Sequence, residues 1–553
     1  MRGPPHDGRP VRVIEDLHDL PRATNIAADV CLIGAGAAGI TIARELAQRG
    51  VSVCLVEGGG MQFEYLESQS LYQGSNAGVP VSFEGGRLRF FGGSTNHWGG
   101  RCAPLDDIDF RRRDWIDHSG WPLDRAELDP YYRRAQKVAG FPAEWLSDTD
   151  TLANLNVTLP SLDPTRLTPW LWHYAPAMKD APTWRWANAY GPELRESKHV
   201  RVLLHANFAG FSTDKNHSRV KTVSVRTLSG ITATIAAEDF VVCCGGIENA
   251  RLLLLGGEQN NGSFGNQNDL VGRYLMQHPR GPAAVVVGQM HEVQGQFNIL
   301  RTTDGLEVEV GMTLAPQLQE RERLLNCSGV LVYQGDPDSG IAVAQDIWRA
   351  LLAGHWAPDM GEKVGLIARD FPDVARTLSR RLSSGRSLDR EGAAVVPSRS
   401  ATLLLDLEQA PDRESRISLS EDRDALGLKR VQADWHMGDL ERRTAARFTG
   451  LVAAEFARLG IGRCRLEPWL RDDTVPMNNA MQETYHYIGT TRMADDPAQG
   501  VVDRDCAVHG VKNLYVAGSS VFPTSGQANP TLTIVALALR LADHLSRGRC
   551  EQC

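Results

Sequence analysis

The sequence lacks any apolar run long enough to cross a membrane, because no stretch approaches the roughly 18 consecutive apolar residues of a spanning helix. Cysteine is scarce, with 10 in 553 residues, which excludes a disulfide scaffold and favours reduced thiols in a cytoplasm. Positive charge is not in excess, since 59 Lys and Arg face 67 Asp and Glu for a net charge of −8. We therefore expect no membrane span and no nucleic-acid partner.

The N-terminus also lacks the pattern of a secretory signal. Met1–Asp19 mixes prolines with charges of both signs and holds no apolar segment. Hydrophobic residues make up 42% and charged residues 23% of the chain, which is typical of a globular protein and excludes a mostly disordered one. The chain is too long to form a single compact core, which predicts two or three domain-sized units. We expect a soluble, cytoplasmic protein.

Residues 29–60 carry the first pattern that points to a ligand. A short apolar strand, a glycine-rich turn, a helix and a second apolar strand follow one another, which predicts a βαβ unit. In such a unit Gly34 allows the tight turn, Gly36 lets the backbone approach a pyrophosphate, and Gly39 lets the helix pack on the strand. Glu57, roughly 20 residues further on, is placed to accept from a ribose hydroxyl. The unit predicts a dinucleotide site and leaves FAD and NAD as alternatives.

Further stretches give the predicted organisation. Phe91–Gly100 is dense in glycine and aromatic residues, typical of a loop whose backbone closely approaches a flat ligand. Strand patterns return at Val200–Leu204, and residues 239–255 predict a strand, a glycine turn and a helix, as expected if the nucleotide domain resumes after an insertion. Residues 281–434 predict a second, sheet-containing domain. Within them, Asp346–Leu382 is amphipathic, which favours a solvated helix pair over a lid or a partner surface.

Two regions have no definite interpretation from the sequence. Tryptophan and tyrosine are concentrated between residues 111 and 193, where core packing and a cap over a binding cleft are equal alternatives. At the C-terminus, Cys550–Cys553 forms a lone CxxC. Because no second ligand pair accompanies it, we expect a loose tail and no metal site.

Two clusters near the C-terminus, Thr484–Met493 and Val516–Thr531, complete the set of motifs. Together with the earlier glycine motifs, they occur in the order found in the glucose–methanol–choline (GMC) family of FAD-dependent oxidoreductases. From about Asn25 onward the chain resembles that family. The resemblance also rests on Gly272–Pro279 and Glu408–Arg416.

The resemblance implies a fold and a reaction. The fold is α/β and α+β, with a Rossmann-like FAD-binding domain built from discontinuous segments and a substrate domain whose mostly antiparallel sheet covers the flavin. The reaction converts an alcohol to a carbonyl, with hydride passing to flavin N5. The implied division is an N-terminal arm at 1–24, an FAD-binding domain at 25–110, 195–280 and 485–545, a substrate-binding cap domain at 111–194 and 281–484, and a tail at 546–553.

His486 and Asn529 match the two catalytic positions of the family. An alcohol gives up hydride readily only as its oxygen gains alkoxide character, so a proton acceptor is needed, and histidine has an ordinary pKa of about 6.5. The Asn529 amide would hold the same oxygen without titrating. As an alternative, Asn529 with Pro530 and Thr531 has the pattern of a helix start, with Asn as the N-cap. That helix N-terminus would favour an anionic reduced flavin.

The expected cofactor is FAD, and the residues predicted to contact it lie in the glycine motifs and at the last helix start. They are Gly34, Gly36, Gly39, Glu57, Gly93, Ser94, Asn96, His97, Trp98, Gly99, Ala206, Gly245, Gly518, Ser519, Asn529, Pro530 and Thr531. His97 matches the position where some members attach FAD covalently, and a covalent link and a non-bonded histidine are equal alternatives. Many relatives have Ala-Asp-Ala-Ser at Ala517–Ser520, and the missing acid favours the sugar- or gluconate-oxidising branch.

The predicted function is FAD-dependent oxidation of a polar alcohol, a sugar or amino-sugar hydroxyl, with oxygen or another carrier as electron acceptor. Within its branch the chain is similar to aminoglycoside (paromamine-type) dehydrogenases of antibiotic biosynthesis, and a catabolic sugar oxidase or dehydrogenase is the nearest alternative. A hydroxynitrile lyase of the same fold, which binds FAD without redox turnover, is a second alternative. A flavin-binding interaction protein is a third, and the presence of both His486 and Asn529 disfavours it.

Overall fold

A computed structural model describes residues 14–142, 148–260, 264–288, 290–334, 360–371 and 400–550, with isolated positions 343, 344, 347 and 398 between them. Within these ranges the chain forms two eight-stranded sheets and one three-stranded sheet, with helices packed around them. In the same ranges, no helix is both long and apolar enough to cross a membrane.

The helices and strands of the described ranges are numbered here in chain order. The strands are β1 (Ile14–Asp16), β2 (Thr24–Ile33), β3 (Val53–Val56), β4 (Gly74–Asn76), β5 (Arg101–Cys102), β6 (Leu167–Tyr174), β7 (Val200–Leu204), β8 (Asn207–Thr213), β9 (Val220–Arg226), β10 (Thr232–Val242), β11 (Arg280–Gly288), β12 (Ile299–Arg301), β13 (Glu307–Leu314), β14 (Cys327–Gln334), β15 (Ser400–Leu407), β16 (Arg416–Arg423), β17 (Lys429–Asp434), β18 (Gly462–Leu466) and β19 (Leu514–Val516). The helices are α1 (Ala37–Ala47), α2 (Asp107–Phe110), α3 (Arg125–Val138), α4 (Asp148–Leu155), α5 (Trp186–Glu196), α6 (Gly245–Asn260), α7 (Met290–Val293), α8 (Pro316–Glu322), α9 (Met360–Arg369), α10 (Asp439–Arg458), α11 (Pro468–Arg471) and α12 (Thr531–Cys550).

The first sheet has the order β1-β7-β3-β2-β10-β9-β8, with β19 also paired to β10. Strands β1, β7, β3, β2, β10 and β19 run parallel, and β9 and β8 extend the sheet in antiparallel pairing. The short central strand Val53–Val56 is buried throughout, which is why it is apolar at every position. Helix α1 packs on β2 and β3, and α12 packs against α1 and α3. The predicted Rossmann-like architecture is confirmed.

The segment before residue 25 contributes to this sheet. Strand β1 pairs in parallel with β7, with Ile14 opposite Val202. The strand lies inside the predicted N-terminal arm, and its three residues are too few to show strand alternation in a sequence. The division of the chain into domains stays a prediction.

The second sheet has the order β18-β11-β15-β14-β13-β6-β5, with β12 beside β13. Its pairings are antiparallel, as predicted for a sheet that covers the flavin. Helix α10 packs on this sheet and buries Phe448 and Phe456 in its core. Most of the predicted amphipathic segment Asp346–Leu382, and most of the CxxC tail, lie outside the described residues.

The small third sheet, β16-β17-β4, joins residues 74–76 to residues 416–434. Loops that leave the carboxyl ends of β2, β3 and β10 meet the ends of β5, β6 and β11 around one cavity. In an open parallel sheet, the crevice beyond the carboxyl ends of the strands is where ligands bind.

Candidate active site

The cavity between the two large sheets has a volume of about 680 Å³. Its wall includes most of the residues predicted from the sequence, namely Gly34, Gly36, Glu57, Gly93, Ser94, His97, Trp98, Gly99, Ala206, Gly245, His486, Gly518, Ser519, Asn529, Pro530 and Thr531. Two predicted residues, Gly39 and Asn96, do not line it. Segments from both ends of the chain therefore meet at one site.

The glycine turn after β2 leaves space for a phosphate group. Gly34 has a φ of +107°, and a Cβ there would lie 2.7 Å from the carbonyl oxygen of Cys243. A Cβ at Gly39 would lie 2.0 Å from the oxygen of Gly34, so Gly39 serves helix packing rather than cofactor contact. At Gly36 nothing lies within 4 Å of an added Cβ, and no side chain caps the helix that begins there. The free N–H groups of this helix terminus fit the pyrophosphate of FAD.

Glu57 connects the glycine turn to the loop after β3. Its Oε2 accepts from the N–H of Ala35 and its Oε1 from the N–H of Gly59, each at 3.0 Å. The side chain is buried yet lines the cavity. Each carboxylate oxygen can accept a second hydrogen bond, so this geometry fits a ribose hydroxyl as donor.

Two arginines outside the sequence motifs, Arg87 and Arg89, also line the cavity. The Arg89 Nη2 donates to Asn207 Oδ1 at 2.9 Å, and the Arg87 Nη1 lies 3.6 Å from Glu248 Oε2. Among the described residues, Arg89 Nε and Arg87 Nη1 have no hydrogen-bond partner. A guanidinium group that lines the cavity can bind an anion such as a cofactor phosphate. The available signal was the spacing of these arginines just before the Phe91–Gly100 loop.

The Phe91–Gly100 loop is held together from inside by Asn96. The Asn96 Nδ2 donates to the oxygens of Phe91 and Gly93, each at 3.0 Å, which explains why Asn96 does not face the cavity. His97 does face it, and burial lowers the pKa of His97. The covalent link through His97 stays a prediction.

The loop that carries the predicted base is held against the glycine turn after β10. A Cβ at Gly246 would lie 2.0 Å from the carbonyl oxygen of Tyr487, so only glycine allows this approach. Ser519 Oγ donates to the same Tyr487 oxygen at 2.7 Å. Gly245 and Gly518 have φ values of +85° and +124°, a region that favours glycine. These contacts fix the backbone beside His486.

His486 projects into the cavity and has a polar partner at each ring nitrogen. Its Nε2 lies 3.4 Å from Nδ2 of Asn529. Its Nδ1 lies 2.9 Å from Nδ1 of His278 and 3.0 Å from Oγ1 of Thr484. Burial holds the pKa of His486 well below its ordinary value. The imidazole is therefore neutral at neutral pH and can accept a proton.

Asn529 lies just before α12, and the alternative in which it caps that helix is wrong. The helix begins at Thr531, and the oxygen of Pro530 accepts its first hydrogen bond, from Ile534 N at 2.8 Å. Pro530 therefore occupies the capping position. The Asn529 amide is left to point toward His486 in the cavity wall.

The second sheet presents charged and polar side chains on the cavity side. Arg101 pairs with Asp406 and with Glu309, each at 2.8 Å, and stacks over Trp172. Arg280 lies 3.5 Å from Asp406 and is one-third exposed. Because Arg101 engages both carboxylates closely, Arg280 is the cation of this wall that has most capacity for a ligand.

Three residues at or behind this wall could not be predicted from the sequence, for different reasons. His278 lies inside Gly272–Pro279, so the motif itself was the available signal. Arg101 and Asp406 are 305 positions apart, and nothing local in the sequence links them. Only the folded sheet shows that they form one cluster.

Comparisons with known proteins agree with this site. A family model described as "GMC oxidoreductase" matches residues 411–538, and one described as "FAD dependent oxidoreductase" matches residues 29–264. The fructose dehydrogenase large subunit of Gluconobacter japonicus is 23% identical, over 94% of this chain and 97% of that protein. The paromamine 6'-oxidase of Streptomyces fradiae is 24% identical, over 93% and 90%. Both similarities extend over nearly the whole chain.

Solved structures show the same fold. A formate oxidase variant from Aspergillus oryzae superposes with a TM-score of 0.55 at 16% sequence identity. The superposition covers 96% of this chain and 100% of the formate oxidase chain. The likeness therefore extends over nearly the whole fold.

Proposed function

We propose that the chain is an FAD-dependent oxidoreductase of the GMC family and that it oxidises a sugar-like alcohol to a carbonyl with His486 as the base. The observation that carries the proposal is the 3.4 Å approach of His486 Nε2 and Asn529 Nδ2 in the wall of the cavity. A proton acceptor and an amide donor then face the same small volume. An alcohol oxygen placed there meets both groups.

The step assigned to His486 is removal of the hydroxyl proton. The proton moves from the substrate oxygen to Nε2, the ring nitrogen on the Asn529 side, as the carbinol carbon loses its hydrogen with the bonding electron pair. A base that acts near neutral pH must be unprotonated before the reaction. The lowered pKa of His486 provides this state.

The step assigned to Asn529 is to hold the developing alkoxide. Its amide N–H can donate to the substrate oxygen as negative charge builds up, and an amide does not titrate at any ordinary pH. Fixing that oxygen also fixes the attached carbon, which is the positional part of the rate acceleration.

FAD, when bound, supplies the acceptor for the hydrogen and electron pair that leave the carbinol carbon. The chain would hold it through the N–H groups of the α1 terminus, the carboxylate of Glu57, and the guanidinium groups of Arg87 and Arg89. Gly36 leaves the space that the pyrophosphate needs.

The wall opposite the glycine turn supports a substrate with several hydroxyl groups. Arg280, Arg101 and Tyr174 line the cavity and offer donors and acceptors at the edge of the second sheet. The names of the similar fructose dehydrogenase and paromamine oxidase also point to a substrate with several hydroxyl groups. Because Arg280 is the least engaged charge of this wall, we propose a neutral or acidic sugar as substrate in preference to a cationic amino sugar.

An anaerobic reduction screen tests the proposed function. The purified holoenzyme is mixed without oxygen with D-fructose, D-glucose, D-gluconate, D-glucosamine and ethanol, and the yellow flavin absorbance is followed. We expect bleaching by a neutral or acidic sugar, with slower bleaching by D-glucosamine and by ethanol. Flavin that stays oxidised with every alcohol would contradict oxidation and would favour the non-redox lyase alternative.

A further inference from the structure

His278 lies directly behind the proposed base and outside the cavity wall. It is 1% exposed, and its Nδ1 lies 2.9 Å from Nδ1 of His486. The two rings meet edge to face, with centroids 5.0 Å apart and an interplanar angle of 76°. A buried imidazole in this position controls which nitrogen of His486 carries the proton.

The tautomer of His278 follows from its other contact. Its Nε2 lies 3.1 Å from the carbonyl oxygen of Ser525, and a carbonyl oxygen accepts only, so Nε2 carries the hydrogen. Burial lowers the pKa of His278, which keeps the ring neutral. A neutral imidazole has one N–H, so the Nδ1 of His278 has a lone pair.

Only one tautomer of His486 is then compatible with its contacts. Because the Nδ1 of His278 is an acceptor, the Nδ1 of His486 must be the donor in the contact between them. Thr484 requires the same arrangement. Its hydroxyl donates to the oxygen of His278 at 3.0 Å, so its lone pair is what faces Nδ1 of His486 at 3.0 Å.

The geometry points to His278 as a positioning residue, which holds His486 in the Nδ1–H tautomer so that the Nε2 lone pair faces the substrate. This inference rests on the proposed function of His486 as a base. It extends that proposal by stating which nitrogen accepts the proton and why. The same logic, a partner that fixes tautomer and ring orientation, applies to bases oriented by a second group in other enzymes.

The contact between His278 and His486 also stabilises the protonated form of His486. When Nε2 of His486 takes a proton, both ring nitrogens become donors, and the lone pair of His278 continues to accept from Nδ1. His278 adds no negative charge, and Asp406, which raises the pKa of His486, is opposed by Arg280 and Arg101, which lower it. The imidazolium is thus supported by hydrogen bonding and remains ready to release its proton.

Substitutions that keep or remove the acceptor test the inference. In His278→Asn the amide oxygen takes the place of Nδ1 and can accept from His486, whereas His278→Leu offers no acceptor. We expect anaerobic flavin reduction to fall about 10- to 100-fold in His278→Leu and to be largely restored in His278→Asn. Thr484→Val should add a further loss to His278→Leu, because the double variant has neither acceptor. The FAD content of each variant, measured by absorbance, controls for misfolding.

A measurement that needs no substrate separates this inference from the proposed function. Nitrogen-15 NMR of the holoenzyme labelled at histidine distinguishes a protonated ring nitrogen from one with a lone pair, and His486→Asn assigns the signals. We expect Nδ1 of His486 to be protonated and Nε2 to have the lone pair. The opposite tautomer, or equal reduction rates in His278→Leu and the parent, would overturn the inference. If no alcohol bleaches the parent, the proposed function fails while the NMR result still decides the tautomer.

Discussion

Nε2 of His486 lies 3.4 Å from Nδ2 of Asn529, although the two residues are 43 positions apart in the chain. The loop of His486 is held by Gly246 and Ser519, and Asn529 is placed by the start of α12. The base and the amide donor lie on segments that are each held in place by their own contacts. Their relative position is therefore fixed, as required of a site that positions a reacting oxygen.

Asn529→Ala should lower the rate of flavin reduction without removing it. The variant keeps the base but loses the donor to the developing alkoxide, and one lost donor of that kind costs about 10²- to 10³-fold in rate. Stopped-flow reduction at saturating sugar measures the effect. Asn529→His, which keeps an N–H donor, is the matched control and should lose less. Parental rates in Asn529→Ala would show that the amide does not touch the reacting oxygen.

Two glycines of the first turn should respond differently to alanine. Gly36→Ala adds a methyl group to open space, so we expect an apoprotein with parental thermal stability and weaker FAD binding, because the methyl group occupies the pyrophosphate site. Gly39→Ala places the methyl group against the oxygen of Gly34 and should destabilise the apoprotein by about 1–3 kcal/mol. Thermal unfolding of the apoproteins and FAD titration measure both effects. Tight FAD binding by Gly36→Ala would argue against a pyrophosphate site beside Gly36.

The rate of flavin reduction should be constant from neutral pH to below about 6.5, the ordinary pKa of histidine. The base acts in its neutral form, and burial lowers the pKa of His486, so protonation removes activity only in more acidic solution. Rates measured with an uncharged sugar avoid titration of the substrate. An acidic limb with its midpoint above 6.5 would contradict the burial argument.

His205 should make folding stability depend on pH. Its ring nitrogens each lie 2.7 Å from a carboxylate, of Asp16 and of Glu64. Burial opposes the charged form, but Glu64 and Asp16 outweigh it and raise the pKa of His205. The stabilisation is therefore complete below the unfolded value of about 6.5 and is lost as pH rises through the higher folded value.

His205→Gln tests this linkage by denaturant unfolding between pH 5 and pH 9. The free energy of unfolding should differ most from that of the parent at the acidic end of the range and converge with it at the alkaline end. His199→Gln, at an exposed position, is the control for replacing a histidine by glutamine elsewhere in the chain. A difference that grows with rising pH would have the wrong sign.

The parts of the site that are local in sequence could be predicted from it. The turn of Gly34 and Gly36 and the acid Glu57 follow from one βαβ unit, since the strand, the turn and the second strand bring them together. Gly39 and Asn96 show the limit of this reasoning, because both belong to the motifs yet serve packing and loop structure. A motif gives the residue types, but not which of them face the ligand.

The parts that depend on distant segments could not be predicted. His278 and His486 are 208 positions apart, and their contact needs both the Gly272–Pro279 segment and the loop before Gly489 in place. The charged wall of Arg101, Asp406 and Arg280 likewise exists only once the second sheet has formed. Register within that sheet, which sets Arg280 opposite Asp406, is not encoded in any short pattern.

The most direct test of the central claim is anaerobic flavin reduction by the His486→Ala holoenzyme, with the sugar that bleaches the parent fastest. We expect a rate at least about 100-fold below that of the parent, the contribution of a positioned general base, with FAD still bound in the same amount. A rate within about twofold of the parent would show that another group takes the proton and would contradict the account.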